Sequence, residues 1–334
     1  MTSAAAGRTE GSSVQPITRH ETVGVARATL HSGLRATLRT ADGVAIDARY
    51  EPGALGAEGP VIVVAHGFTG NLERPHVRRA AGVFTRYAAV VTFSFRGHGK
   101  SAGRSTVGDR EVLDLAAAVR WARSFGHARV VTVGFSMGGS VVLRQAALGR
   151  SREGAREGAA RGGRMEGWGR VEARDGAVSG AVGTAVDGVD GVAGVAAVDG
   201  VDGVDGVDGV VSVSGPARWY YRGTAPMRRL HWVVTRPLGR AVGRHVLGTR
   251  IQRDEWDPVP LSPVAAVPLI APTPLLIVHG DADPYFPLDH PRMLASAAPD
   301  DTELWLEPGM GHAEHAADDA LLARIGAWAV AARV

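Results

Sequence analysis

Cysteine is absent from all 334 residues. That excludes a disulfide framework, a thiolate metal site and a cysteine nucleophile. Lysine is nearly absent too: Lys100 is the sole lysine among 37 basic residues. The arginines in its place are spread along the chain and mixed with 34 acidic residues, leaving a formal charge of +3. No basic stripe with interleaved aromatics marks a nucleic-acid partner. Long apolar runs are also missing. Val61 to Ala65, the first clean aliphatic run, is far too short to span a bilayer. The opening MTSAAAGRTEGSSVQP has no apolar segment of the kind a signal peptide needs. The expectation is a cytoplasmic protein without an integral membrane segment.

What is present alternates. Residues 1–26 read as a disordered tail. Ala36–Arg39 and Val44–Tyr50 flank Ala41-Asp42-Gly43, where Asp-Gly favours the positive φ angles of a tight hairpin turn. Val61–Ala65 is a continuous apolar run, as a strand buried on both faces requires, and Ala89–Phe95 and Val130–Phe135 read as the next strands. Between them lie helical patterns at Leu72–Tyr87 and after Asp109, a candidate cap, where Val112, Leu115, Val119 and Ala122 recur at helical spacing. Met137–Leu148 follows as another helix. Strand alternating with helix predicts a mostly parallel central sheet flanked by helices.

The alternation breaks at residues 150–209, which end in repeats of Val-Asp-Gly. A three-residue period fits neither helix nor strand, and one glycine in three is costly to order. This reads as a disordered low-complexity insertion without chemistry between core segments 27–149 and 210–334. The pattern resumes with strands at Val210–Ser214, Leu275–His279 and Thr302–Leu306, and helices at Leu288–Ala298 and Ala313–Ala332. Residues 217–268 stand apart as an aromatic- and arginine-rich cap.

One motif carries chemistry most directly. Gly134-Phe135-Ser136-Met137-Gly138 fits G-x-S-x-G, where a serine sits on a sharp turn between a strand and a helix. The residues two before and two after must be small so that the chain can pass, and the helix N-terminus brings free N–H groups beside the hydroxyl. A serine nucleophile needs a base, and the base needs an orienting acid. Asp281 and Asp283 follow the Leu275–His279 strand, and His312 lies in the glycine-rich loop after the next one. All three types of group fall at C-terminal strand ends, where sites of open α/β sheets gather.

These residues resemble the α/β-hydrolase superfamily, in its esterase, monoacylglycerol-lipase-like and serine-aminopeptidase-like branch. The likeness rests on His66-Gly67-Phe68, Arg96-Gly97-His98-Gly99-Lys100-Ser101, Gly134 to Gly139, His279-Gly280-Asp281-Ala282-Asp283 and Gly311-His312. It covers residues 35–149 and 210–332. It implies the α/β-hydrolase fold with a short cap, Ser136 as nucleophile, Asp283 rather than Asp281 as the acid, and His312 rather than His315 as the base. It also implies backbone N–H donors at Phe68 and Met137 for an oxyanion. Ser94 stands where the family often has aspartate, a departure that puts the packing of that loop in question. His66 and His98 read as members of turn motifs, and His279 and Asp281 as braces.

The implied reaction is acyl transfer from a small-molecule ester to water, without metal or organic cofactor. Trp219 and Tyr220 of the cap are candidates for an apolar acyl pocket. Tyr285 and Phe286 either line that pocket or pack beneath the loop. Aminopeptidase or amidase activity, cofactor-free haloperoxidase chemistry and a non-catalytic binding role stay open as alternatives. For an aminopeptidase, Asp254, Glu255 and Asp257 would have to receive the substrate amine.

Overall fold

The structure is a computed structural model that describes residues 33–54, 56–162, 204–300 and 302–332, with side chains except at 57 and 152–162. The 1–26 tail and most of the 150–209 insertion lie outside the described residues. Strands β1 (Leu34–Arg39) and β2 (Ala45–Glu51) form the expected antiparallel hairpin, with Leu38 opposite Ile46. The turn differs in detail. Only Gly43 takes a positive φ, 81°, and its N–H donates to Thr40 O while Thr40 N–H donates to Val44 O. This is a longer loop with a glycine bulge. The Asp42 carboxylate is used elsewhere, on the Thr40 hydroxyl (2.6 Å) and on Arg96 (2.7 Å).

Beyond the hairpin come β3 (Val61–Ala65), α1 (Pro75–Phe84), β4 (Ala89–Phe93), α2 (Glu111–Ser124), β5 (Val130–Phe135), α3 (Met137–Gly162) and β6 (Gly209–Val213). The cap carries α4 (Ala225–Thr235) and α5 (Pro237–His245), followed by the short α6 (Pro263–Ala266). Then β7 (Leu275–Gly280), α7 (Asp289–Ala297), β8 (Glu303–Glu307), α8 (Ala313–Ala316) and α9 (Asp319–Ala331) complete the described chain. The eight strands form one sheet in the order β1-β2-β4-β3-β5-β6-β7-β8. Only the β1–β2 and β2–β4 pairings are antiparallel.

The five central strands β3 to β7 are buried along their whole length, so they can afford no polar face. Their side chains alternate between two cores. Val63, Val91 and Val130 pack with α2, α3 and α7 on one face. Ile62, Val64 and Val131 pack with α1 and α9 on the other. The edge strands β1 and β8 are partly exposed and carry Arg35, Arg39, Glu303 and Glu307, charges that discourage edge-to-edge pairing.

Three local expectations change. Asp109 does not cap α2; its carboxylate meets Arg144 at 3.3 Å. Glu111 serves the loop instead, accepting from the hydroxyls of Ser105 and Thr106 and the N–H groups of Thr106 and Gly108 at 2.5–2.9 Å. Helix α3 runs on to Gly162, past the point where the pattern was expected to stop. The last Val-Asp-Gly repeats are built into the core: Val204 and Val207 are buried, and the Asp208 carboxylate accepts Val130 N–H at 2.8 Å.

The Ser94 loop closes by other means than an aspartate. Ser94 Oγ accepts Leu72 N–H at 3.1 Å, and the Ser101 hydroxyl donates to Ser94 O at 2.6 Å. Beside it, Arg96 is clamped between Asp114 (2.7 Å) and Asp42 (2.7 Å), and the Asp114 side chain is 0% exposed. Arg96→Met would strand a wholly buried carboxylate, so urea unfolding should show a loss of about 3–5 kcal/mol. An unchanged midpoint would remove this pair from the supports of the loop.

Candidate active site

The strand order reverses at β3: β4 lies on one side of it and β5 on the other. Such a switch point opens a crevice beyond the C-terminal strand ends. Ala65 of β3 pairs with Gly134 of β5. Phe68 and Met137 therefore each sit three residues beyond the same rung of the ladder, which brings their backbones to one place. Neither backbone N–H finds an acceptor among the described residues.

Ser136 is at φ 52°, a left-handed conformation that L-residues rarely adopt. The turn is held by Ser136 N–H donating to Val213 O at 2.9 Å. The flanking glycines are steric requirements: a Cβ at Gly134 would run into the Gly138 carbonyl, and one at Gly138 into the Ala65 carbonyl. Both obstacles are backbone and neither can yield cheaply. Gly138→Ala should cost at least about a hundredfold in turnover, because a displacement of around 1 Å suffices for that. Steady-state kinetics on the soluble variant would check it, and unchanged turnover would show that the turn yields after all.

Asp283 and His312 reach Ser136 from β7 and β8. The Ser136 hydroxyl lies 2.8 Å from His312 Nε2, and His312 Nδ1 lies 2.7 Å from Asp283 Oδ2. With ionised Asp283 as acceptor, Nδ1 carries the proton and Nε2 is free to accept from the serine. Burial pushes the Asp283 carboxyl up, but the His312 contact and the N–H groups of Tyr285 (2.8 Å) and Phe286 (3.1 Å) outweigh it and hold it below the usual carboxylate range. The residue after His312 is pinned as well: Ala313 N–H donates to Ser214 Oγ at 3.1 Å, and both Ala313 and Ser214 have positive φ. Asp281 stays outside this line and accepts Gly309 N–H at 2.6 Å. His279 Nε2 lies 2.8 Å from Phe286 O, a contact in which it donates.

The turn bearing Phe68 is tied from several sides. His66 Nε2 accepts Phe95 N–H at 3.0 Å, and His98 Nε2 accepts Thr69 N–H at 3.4 Å. Burial pushes both imidazoles below their ordinary value, so both act as neutral ties. A third tie was not legible in the sequence. Glu314, 3% exposed, accepts Gly67 N–H at 3.2 Å. Nothing in the sequence marks it beyond its place two residues after His312.

Ser136 opens into a cavity of about 380 Å³ walled by Phe68, Met137, Trp219, Tyr220, Trp256 and Phe286. Of the two aromatics left open, Phe286 lines this cavity and Tyr285 does not. Tyr285 instead stacks on His312, with ring centroids 4.3 Å apart at 28°. The cap is fastened at both ends. The Thr224 hydroxyl donates to Tyr285 O at 2.9 Å. Further on, Thr249 and Ile251 bridge to His98 and Ser105. Gly97 permits that approach, since a Cβ there would strike Arg250 O.

A doubly wound, mostly parallel sheet with a strained serine after its central strand, and an acid and a histidine after later strands, defines the α/β-hydrolase class. The chain belongs to the alpha/beta hydrolase family, whose sequence pattern it matches over residues 61–325. Among solved structures, the Pyrococcus furiosus esterase Pf2001 is similar at 17% identity, with 98% of this chain and 100% of that chain covered and a TM-score of 0.58. The esterase domain of a Rhodothermus marinus protein is similar at 18% identity, over 90% of this chain and 98% of that one, with a TM-score of 0.53. At such identities the likeness is one of fold. No curated protein matches the sequence. No helix among the described residues is long and apolar enough to cross a membrane.

Proposed function

We propose that the chain is a carboxylic ester hydrolase working through a Ser136–His312–Asp283 triad and an acyl-enzyme. The observation that carries this reading is the unbroken chain of short contacts from Asp283 to His312 (2.7 Å) and on to Ser136 (2.8 Å). His312 Nε2 takes the Ser136 proton as Oγ attacks the acyl carbon, and Asp283 stabilises the imidazolium that forms. The oxyanion is received by the Phe68 and Met137 N–H groups, each contributing on the order of 3 kcal/mol. The protonated His312 then gives its proton to the leaving alcohol. Water, activated by the same histidine, releases the acid.

The cavity supports an ester with an apolar acyl group, since aromatic rings form much of its wall. Asp254 and Glu255 also line it, which keeps an aminopeptidase reading in view, but Arg218, Arg222, Arg240 and Arg253 line it too. Arg218 is paired with Asp289 at 2.6 Å, but the other three guanidinium groups against two carboxylates still disfavour a substrate ammonium. Turnover of p-nitrophenyl acyl esters of graded chain length, run beside amino-acid p-nitroanilides, tests the choice. Ester turnover with negligible anilide turnover is expected. Faster anilide turnover would overturn the ester reading in favour of the aminopeptidase.

A further inference from the structure

A second cluster of chemically capable side chains lies outside the cavity that holds Ser136. His76, near the start of α1, meets Glu314 and His315 of α8, and the ligand atoms of the three lie within 4.8 Å of one another. His76 and His315 line a separate cavity that shares no lining residue with the first. His76 Nε2 is buried without a hydrogen-bond partner and lies 3.8 Å from Glu314 Oε1. A buried nitrogen left unpaired in this way calls for an explanation.

We propose that His76, Glu314 and His315 form a binding site for a divalent first-row transition cation of the zinc type. Two imidazoles and one carboxylate are a borderline-soft donor set that suits zinc and leaves a fourth position for water. Tetrahedral bonds of about 2.0–2.1 Å place ligand atoms roughly 3.3 Å apart, so His76 and Glu314 need to close only slightly. The larger movement would fall to His315, which is exposed. Its ring now lies tilted against that of His76, centroids 3.6 Å apart at 39°.

Two cations lie nearby, Arg74 and Arg79. Arg79 is engaged by Asp319 at 2.8 Å and by the carbonyl oxygens of Glu314 (3.1 Å) and Ala317 (2.6 Å). A bound cation would cross-link α1 to α8 and so stabilise the fold by mass action. The carboxylate oxygen it would share, Glu314 Oε1, is also the acceptor for Gly67 N–H. The site would therefore adjoin the turn that presents Phe68.

The test uses the full chain, free of any histidine tag and stripped with chelator. Zn²⁺ binding is followed by calorimetry, Co²⁺ binding by visible absorption, and Tm is read with Zn²⁺ or Mg²⁺. One equivalent of Zn²⁺ should bind and raise Tm, while Mg²⁺, which demands oxygen ligands, should leave it unchanged. His76→Ala and His315→Ala should each weaken binding by about a hundredfold or more, since even outer partners of metal ligands are worth ten- to a hundredfold. His245→Ala, at an exposed position outside the cluster, should bind as the unaltered chain does. Absence of saturable binding, or unaltered affinity in His315→Ala, overturns the proposal. His315 is exposed, so that variant should keep its metal-free Tm and report on binding alone.

Discussion

Ser136→Ala should lower kcat on a p-nitrophenyl ester by about 10⁶-fold, the scale of loss when a triad nucleophile is removed. The substitution leaves the surrounding geometry in place. Alanine keeps the Cβ that the positive φ already accommodates, and the Ser136 N–H bond to Val213 O is backbone. Fold and Tm should therefore hold while the oxygen proposed as nucleophile disappears. The Phe68 and Met137 N–H groups remain, so a residual rate of about 10³–10⁴ over water is expected from oxyanion binding and positioning. Because the groups act as a unit, adding His312→Ala to Ser136→Ala should cost almost nothing further. Steady-state and single-turnover kinetics read both points. Unchanged ester turnover in Ser136→Ala would sink the mechanism outright.

The second large effect is expected at Asp283→Asn, about 10⁴-fold in kcat. The asparagine oxygen can still accept the Tyr285 and Phe286 N–H groups that Oδ1 receives now, so the loop should persist. Its NH₂, however, would face His312 Nδ1 and donate to it. That places the imidazole proton on Nε2, where it opposes the Ser136 hydroxyl instead of accepting from it. A pH signature accompanies the change. The Asp283 carboxyl is held below its usual range in the folded protein. Its contribution to stability is therefore complete above the unfolded value of about 3.9 and is lost as pH falls through the lower folded value. The asparagine variant lacks that ionisation, so its stability should decline less steeply in this acid range. Urea unfolding at a series of pH values checks the slope, and identical acid limbs would contradict the assignment.

Much of this architecture is readable from local pattern, because the constraints are local. A strand buried on both faces favours apolar residues at every position, so Val61–Ala65 stands out as an uninterrupted apolar run. The turn at Ser136 shows in its glycines for a similar reason: Gly134 and Gly138 lie close in sequence to the residue whose strain they allow. Asp281, Asp283 and His312 follow that serine in chain order, and the resemblance to the α/β-hydrolases selects Asp283 between the two acids. Where local rules compete, the pattern misleads. Asp109 is a plausible cap by type, yet Arg144, distant in sequence, draws its carboxylate away. The Val-Asp-Gly repeats have no periodicity of their own, yet the last of them is fixed by Val130 and by the core it enters.

The amino-acid sequence by itself determined the class of fold, through strand alternating with helix, the serine turn, through glycines close to it along the chain, and the order in which its candidate partners follow. Only the tertiary structure decided that Tyr285 stacks on His312 while Phe286 faces the cavity, a choice between adjacent residues that depends on how the cap packs against the loop. It alone brought Glu314 to Gly67, 247 residues away in sequence, and His76 to His315. Such contacts are set by the side chains that the folded sheet and helices press together, and no spacing along the chain encodes them.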